Sequence, residues 1–121
     1  MRVFAIRGAT VVEANDAEMI SAATAELIEQ LLLRNQLTAA DLISCIFTAT
    51  EDLDADFPAA AAREIGLDQV PLICAREMPV PGAMERVIRV LVHYNAGDDH
   101  VAEHVYLGKA QQLRPDLGSA Q

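Results

Sequence analysis

Arg7 and Arg89 sit where a charge is hardest to account for. Each falls in a run that alternates with a two-residue period, and each shares a strand face with aliphatic neighbours. Arg7 lies with Val3 and Ala5; Arg89 lies with Val87, Leu91 and His93. A guanidinium there is costly unless it is paired, reaches solvent, or meets an anionic ligand. Arg63 projects from an Ala-rich segment close to Phe57. Of the nine basic residues only Lys109 is a lysine. Arginine is the planar fork that binds a carboxylate through two parallel hydrogen bonds and tolerates partial burial. The chemistry these residues suggest is capture and polarisation of a small anion.

Glu77 follows a strand-like run, with Cys74 three residues before it. A carboxylate beside an arginine-lined cavity could hold a substrate hydroxyl or face developing positive charge. His100 to His104 reads His-Val-Ala-Glu-His, the spacing of an inverted zinc-protease motif. That motif needs a stable helix, which Val105-Tyr106-Leu107-Gly108 interrupts at once, so a solvated turn is the better reading. Cys74 has no partner His and Asn in the order a nucleophilic cysteine requires. No glycine-rich phosphate loop and no G-x-S-x-G elbow occurs. Plainer roles fit each residue singly: a strand-end arginine reaching water, a structural salt bridge, an exposed turn acid, a helix arginine paired at the surface.

Charge narrows the partners. Eighteen acidic residues against nine basic ones leave the 121-residue chain at −9. Such a surface is not drawn to nucleic-acid phosphates or to an anionic membrane. Two separated cysteines, Cys45 and Cys74, with no CxxC pair point to free thiols in a reducing compartment, and the N-terminus lacks a signal-peptide pattern. A cytoplasmic protein is expected. The length fits one domain, expected over residues 1–117 with a loose tail at 118–121.

The elements that must position these residues follow from periodicity. Residues 2–7 predict a strand ended by Gly8. Asn15 or Asp16 caps a helix over roughly 16–36, whose Ile20, Ala23, Leu27 and Leu31 form one apolar stripe. Thr38 and Asp41 mark a short turn, and 42–49 reads as a buried strand. Pro58 opens an Ala-rich helix stopped by Gly66. Strands are expected at 70–75, 84–94 and 101–107. The order β-α-β-α-β-β-β predicts an α/β (α+β) fold, a mixed β-sheet packed against one long helix and short helices.

The ordered blocks of residues are similar to the monofunctional chorismate mutases of the AroH class, the trimeric α/β kind. The resemblance spans almost the whole chain. Ile6-Arg7-Gly8-Ala9-Thr10 carries it first, then Thr48-Ala49-Thr50 with Asp52-Leu53, Ala55, Phe57-Pro58-Ala59 and Arg63-Glu64. Val70-Pro71 through Cys74, Glu77-Met78, Gly82 and Ile88-Arg89-Val90 follow, then His104-Val105-Tyr106-Leu107 and Leu113-Arg114-Pro115-Asp116-Leu117.

The resemblance implies the rearrangement of chorismate to prephenate on the route to Phe and Tyr. It implies no cofactor and no metal. By the family pattern Arg89 would stabilise the ether oxygen, while Arg7 and Tyr106 would bind the side-chain carboxylate. Arg63 and Arg114 would attract or cover the ring carboxylate, Glu77 and Cys74 would contact the ring hydroxyl, and Phe57 with Leu113 would wall the ring. The family pattern also implies a homotrimer, a barrel-like assembly with sites at subunit interfaces. The chain departs from that pattern with alanines at 60 and 61, where a Lys is frequent, and with Ile73 beside the cysteine. A trimeric imine deaminase and a non-catalytic carboxylate-binding module are the rival expectations.

Overall fold

A computed structural model of the chain describes residues 1–113. Five strands form one mixed sheet in the order β3-β2-β4-β1-β5: β1 Arg2–Val11, β2 Leu42–Ala49, β3 Leu72–Arg76, β4 Val87–Ala96 and β5 Val105–Tyr106. β4 is antiparallel to both β1 and β2, whereas the outer pairs β2/β3 and β1/β5 are parallel. This is the predicted class. Arg114 and the tail expected to be loose lie outside the described residues.

Helix α1, Ala17–Arg34, and the short α2, Pro58–Ala62, pack on the same face of the sheet. Leu27, Ile28 and Leu31 of α1 meet Ile6, Phe47, Val90, Val92 and Tyr94, with Ala59 and Ala62 of α2 closing the layer. Cys45 belongs to this core, and burial pushes its thiol up to about 11. Among the described residues the opposite face carries no α-helix. Val3 is 58% exposed there and Ile73 61%, with Ile46 and Leu91 between them in the register.

Several boundaries differ from expectation, each for a physical reason. β1 does not end at Gly8 but runs to Val11. A Cβ at Gly8 would come within 3.0 Å of Leu27 Cδ1 and of the Val105 carbonyl, so this glycine lets α1 and β5 approach the strand closely. Asp16, rather than Asn15, caps α1 by accepting from the Met19 N–H at 3.0 Å. Asn15 instead holds the 51–57 loop, accepting from the N–H groups of Asp54 and Ala55. The Ala-rich helix ends at Ala62 and passes into a wider turn, Arg63–Leu67, broken at Gly66, where φ is +112°.

β4 begins at Val87 rather than at residue 84. Arg86 stands just before it in the left-handed region, φ +53°. Asp52 accepts from the Arg86 N–H through both carboxylate oxygens, the Thr50 hydroxyl accepts from the Val87 N–H, and the Arg86 side chain donates to the Val12 carbonyl. These bonds hold a conformation that a side chain rarely adopts. β3 is Leu72–Arg76 rather than 70–75, and its ladder continues one step as the Glu77 N–H donates to the Ala49 carbonyl. Of the strand expected at 101–107 only Val105 and Tyr106 pair with β1. The residues before it bond to side chains: Asn35 accepts from the Glu103 N–H, and the His104 ring serves the Arg7 N–H.

Candidate active site

Register brings the arginines together. On the helix-free face Arg7 pairs with Leu91 and Ala9 with Arg89, so the two guanidinium-bearing positions are diagonal neighbours on adjacent strands. Thr48 of β2 pairs with Arg89 from the other side, and Ala75 of β3 pairs with Thr48. Continuing β3 by two residues puts Glu77 on the same face. Tyr106 of β5 pairs with Ala9. Arg7, Thr48, Glu77, Arg89 and Tyr106 thus line one open cavity of about 250 Å³.

The polar contacts in that cavity are few and directed. Arg89 Nε lies 3.2 Å from Glu77 Oε2, yet it is not aligned for a hydrogen bond, so this buried N–H has no partner. The Thr48 hydroxyl donates to that same oxygen, Glu77 Oε2. Among the described residues Arg7 has no acidic partner. Two cations against one carboxylate leave the cavity positive inside an acidic molecule, and one lining residue, Arg89, carries a buried donor without a hydrogen-bond partner. An anion supplies what such donors lack.

The chain's return packs beside Tyr106. After β5 a 3₁₀ segment, Gly108–Leu113, turns over the helix-free face, where Ala110 packs with Ala9, Val87 and Tyr106, and Leu113 lies against the same cluster. Through that cluster Leu113 reaches the surroundings of Tyr106, without itself lining the cavity. The remaining predicted residues are elsewhere. Phe57 and Cys74 line a separate cavity of about 350 Å³ with Asp54, Pro58 and Arg76. Arg63 is exposed at the end of α2. Cys74 pairs with Phe47, a core-facing residue, so it points to the helix side while Glu77 points away. The two residues expected at one hydroxyl are three apart on a strand, and odd separations land on opposite faces. Phe57 is 69% exposed, a half-built wall. A larger cavity of about 560 Å³ near Met1, Arg34, Asn95 and His100 gathers none of the predicted site residues.

Sequence reasoning gave Thr48 no role; alternation placed it on one face with Ile46, and pairing with β4 made that the arginine face. It also left His104 as part of a solvated turn. Its Nδ1 accepts from the Arg7 N–H at 2.9 Å. His100 instead engages the Tyr94 hydroxyl through Nε2 at 2.8 Å and meets Phe4 edge-on. The two rings of the His-Val-Ala-Glu-His run therefore serve separate tasks, and among the described residues no group of His, Cys, Asp and Glu could hold a metal ion.

Similarity to known proteins gives the family of the chain. The family described as chorismate mutase type I matches residues 3–117. The chain is 52% identical to the chorismate mutase AroH of Thermus thermophilus over 119 residues, covering 96% of this chain and 97% of that one. It is 41% identical to the chorismate mutase AroH of Bacillus subtilis (strain 168) over 120 residues, covering 97% and 94%. A solved chorismate mutase from Clostridium thermocellum superposes with a TM-score of 0.87 at 46% identity, over 90% of this chain and 98% of that one. A cavity with two arginines, one carboxylate and an unpartnered guanidinium N–H thus lies in a chain that belongs to the type I chorismate mutases, the AroH family, isomerases acting on chorismate.

Proposed function

We propose that the cavity between β1, β4 and Glu77 rearranges chorismate to prephenate by restraint and electrostatics alone. The reaction is intramolecular: one C–O bond breaks, one C–C bond forms, and no proton is transferred. The cavity's residues suit that demand, since they provide cations and a carboxylate but no nucleophile or proton relay. The observation that carries the reading is the buried Arg89 Nε–H with no hydrogen-bond partner. As the C–O bond breaks, negative charge grows on the ether oxygen, and a fixed donor there stabilises the transition state more than the ground state. Glu77 faces the fragment that becomes positive and, with Thr48, holds the Arg89 head in place.

Arg7 and Tyr106 take the side-chain carboxylate, across the cavity from Glu77. Leu113 walls the ring. Gripping both ends of the extended substrate favours the folded near-attack shape, which removes part of the barrier before chemistry begins. Phe57, Arg63 and Cys74 enter through assembly. We propose a homotrimer in which the Phe57–Cys74 patch of one copy, with Arg63 from the end of its α2, closes the Arg7–Arg89 cavity of its neighbour. Two features favour it: the site residues fall in two separate patches, and the helix-free face exposes Val3, Ile46 and Ile73 beside the arginines. Arg114, outside the described residues, would cover the ring carboxylate with Arg63. The two free thiols, Cys45 and Cys74, suit a cytoplasmic setting.

Arg89→Ala is the decisive variant. Following chorismate loss by ultraviolet absorbance, kcat should fall about 10²–10³-fold or more, as when an oxyanion donor is removed. The circular dichroism spectrum should be unchanged, since Arg89 is on the helix-free face. An Arg89→Ala enzyme with near wild-type kcat overturns the electrostatic reading.

A further inference from the structure

Tyr106 stands on the weakest element of the sheet. β5 has two residues, paired with β1 at Gly8↔Val105 and Ala9↔Tyr106, and the Leu107 N–H adds one bond to the Ala9 carbonyl. Such a short ladder does little to fix a side chain by itself. One step back along β1, the Arg7 N–H points to the same edge. There β5 has not yet begun, and the acceptor is the His104 imidazole, Nδ1 at 2.9 Å. One bond therefore joins the backbone of Arg7 to the residue two before Tyr106.

The other end of this segment is anchored as well. Asn35, 2% exposed, accepts from the Glu103 N–H at 2.7 Å and donates to the Glu103 carbonyl at 2.9 Å, holding the chain to the end of α1. Nδ1 accepts a hydrogen bond only when it carries no proton, so the ring is neutral with its proton on Nε2. Its surroundings agree: burial and the positive charge of Arg7 both lower the His104 pKa from its ordinary value. Arg7 on β1 is the charge acting on the ring, Glu103 is its chain neighbour, and α1 presents the neutral Asn35 to this segment.

We infer that His104 is a positioning residue for the carboxylate end of the site. Its neutral ring replaces the missing backbone acceptor beside β1 and fixes Tyr106 relative to Arg7. The inference rests on the reading of Arg7 and Tyr106 as ligands of one substrate carboxylate, and it assigns a purpose to a histidine that touches no substrate.

Steady-state kinetics on the purified enzyme with chorismate test it. His104→Ala should raise KM about three- to tenfold, the worth of one hydrogen bond, with kcat within about twofold. Asparagine places an oxygen close to where Nδ1 sits, so His104→Asn should return KM to near the wild-type value. His104→Gln puts its oxygen too far out and serves as the loss variant where His104→Ala does not fold. Tyr106→Phe should raise KM by itself, and adding His104→Ala to it should bring little further change, since both act on one contact. A wild-type KM in the loss variant, or a folded His104→Asn enzyme with no recovery, overturns the inference while leaving the carboxylate assignment standing. A Tyr106→Phe enzyme with unchanged KM overturns that assignment, and the inference with it.

Discussion

At the scale of single residues, the same side-chain type does different work according to its face. Arg89 and Arg86 are three apart on the chain. One lines the cavity and carries an unpartnered Nε–H; the other donates to a backbone carbonyl and stabilises a left-handed turn. Glu77 is set by its neighbours, with the Thr48 hydroxyl and Arg89 on the same oxygen. Glu77→Gln keeps the shape and removes the charge, so the kinetic assay should show a lower kcat with an intact fold. The cysteines separate in the same way. With its pKa raised to about 11, Cys45 has almost no thiolate near neutrality. A thiol reagent at pH 8 should leave it unmodified in the native protein and label it in denaturant, which peptide mass spectrometry resolves.

At the scale of elements, close approaches and caps decide where strands start and stop. Gly8→Ala drives a methyl to 3.0 Å from Leu27 and from the Val105 carbonyl. Urea unfolding should show a loss of about 1–3 kcal/mol, the usual cost of overpacking. Asp52→Ala leaves the Arg86 N–H without its acceptor and frees a strained residue, which should cost about 1–3 kcal/mol. Arg86→Gly in that background should recover part of the loss, because glycine adopts positive φ without strain. β5 adds a pH dependence. The folded-state pKa of His104 is lowered, so the unfolded chain binds more protons than the folded one below the ordinary histidine value of 6.5. Stability should therefore fall as pH drops through 6.5 towards the folded pKa. Thermal melts between pH 7.5 and pH 5 should show a shallower fall for His104→Asn.

At the scale of the whole molecule, the two α-helices cover one face of the sheet, and among the described residues Val3, Ile46 and Ile73 stay exposed on the other. The proposed trimer covers it and completes the site at once. Light scattering should give about three times 13.1 kDa. Ile46→Asp, on the open face, should reduce mass and activity together. A sharper test uses two inactive variants, Arg89→Ala and Arg63→Ala, co-expressed. If each site draws on two copies, about a quarter of the sites in random mixed trimers combine one intact half from each and regain activity. If each site lies within one copy, none does.

Much of this was legible in the order of residues. Alternation along β1 and β4 put Arg7 with Val3 and Ala5, and Arg89 with Leu91 and His93, because a strand's two-residue period is local and needs no partner. The stripe of α1 was legible for the same reason, and the ordered blocks carried the family. The period says which face a residue takes, not which residue lies beside it. Only pairing with a distant strand made Arg7 a diagonal neighbour of Arg89 and put Thr48 across from it. Only packing against α1 kept Gly8 inside a strand that its own chemistry would have ended. His104 is the clearest case: nothing near it in sequence distinguishes a ring in a loop from one that completes a ladder, because its partner, the Arg7 N–H, is 97 residues away.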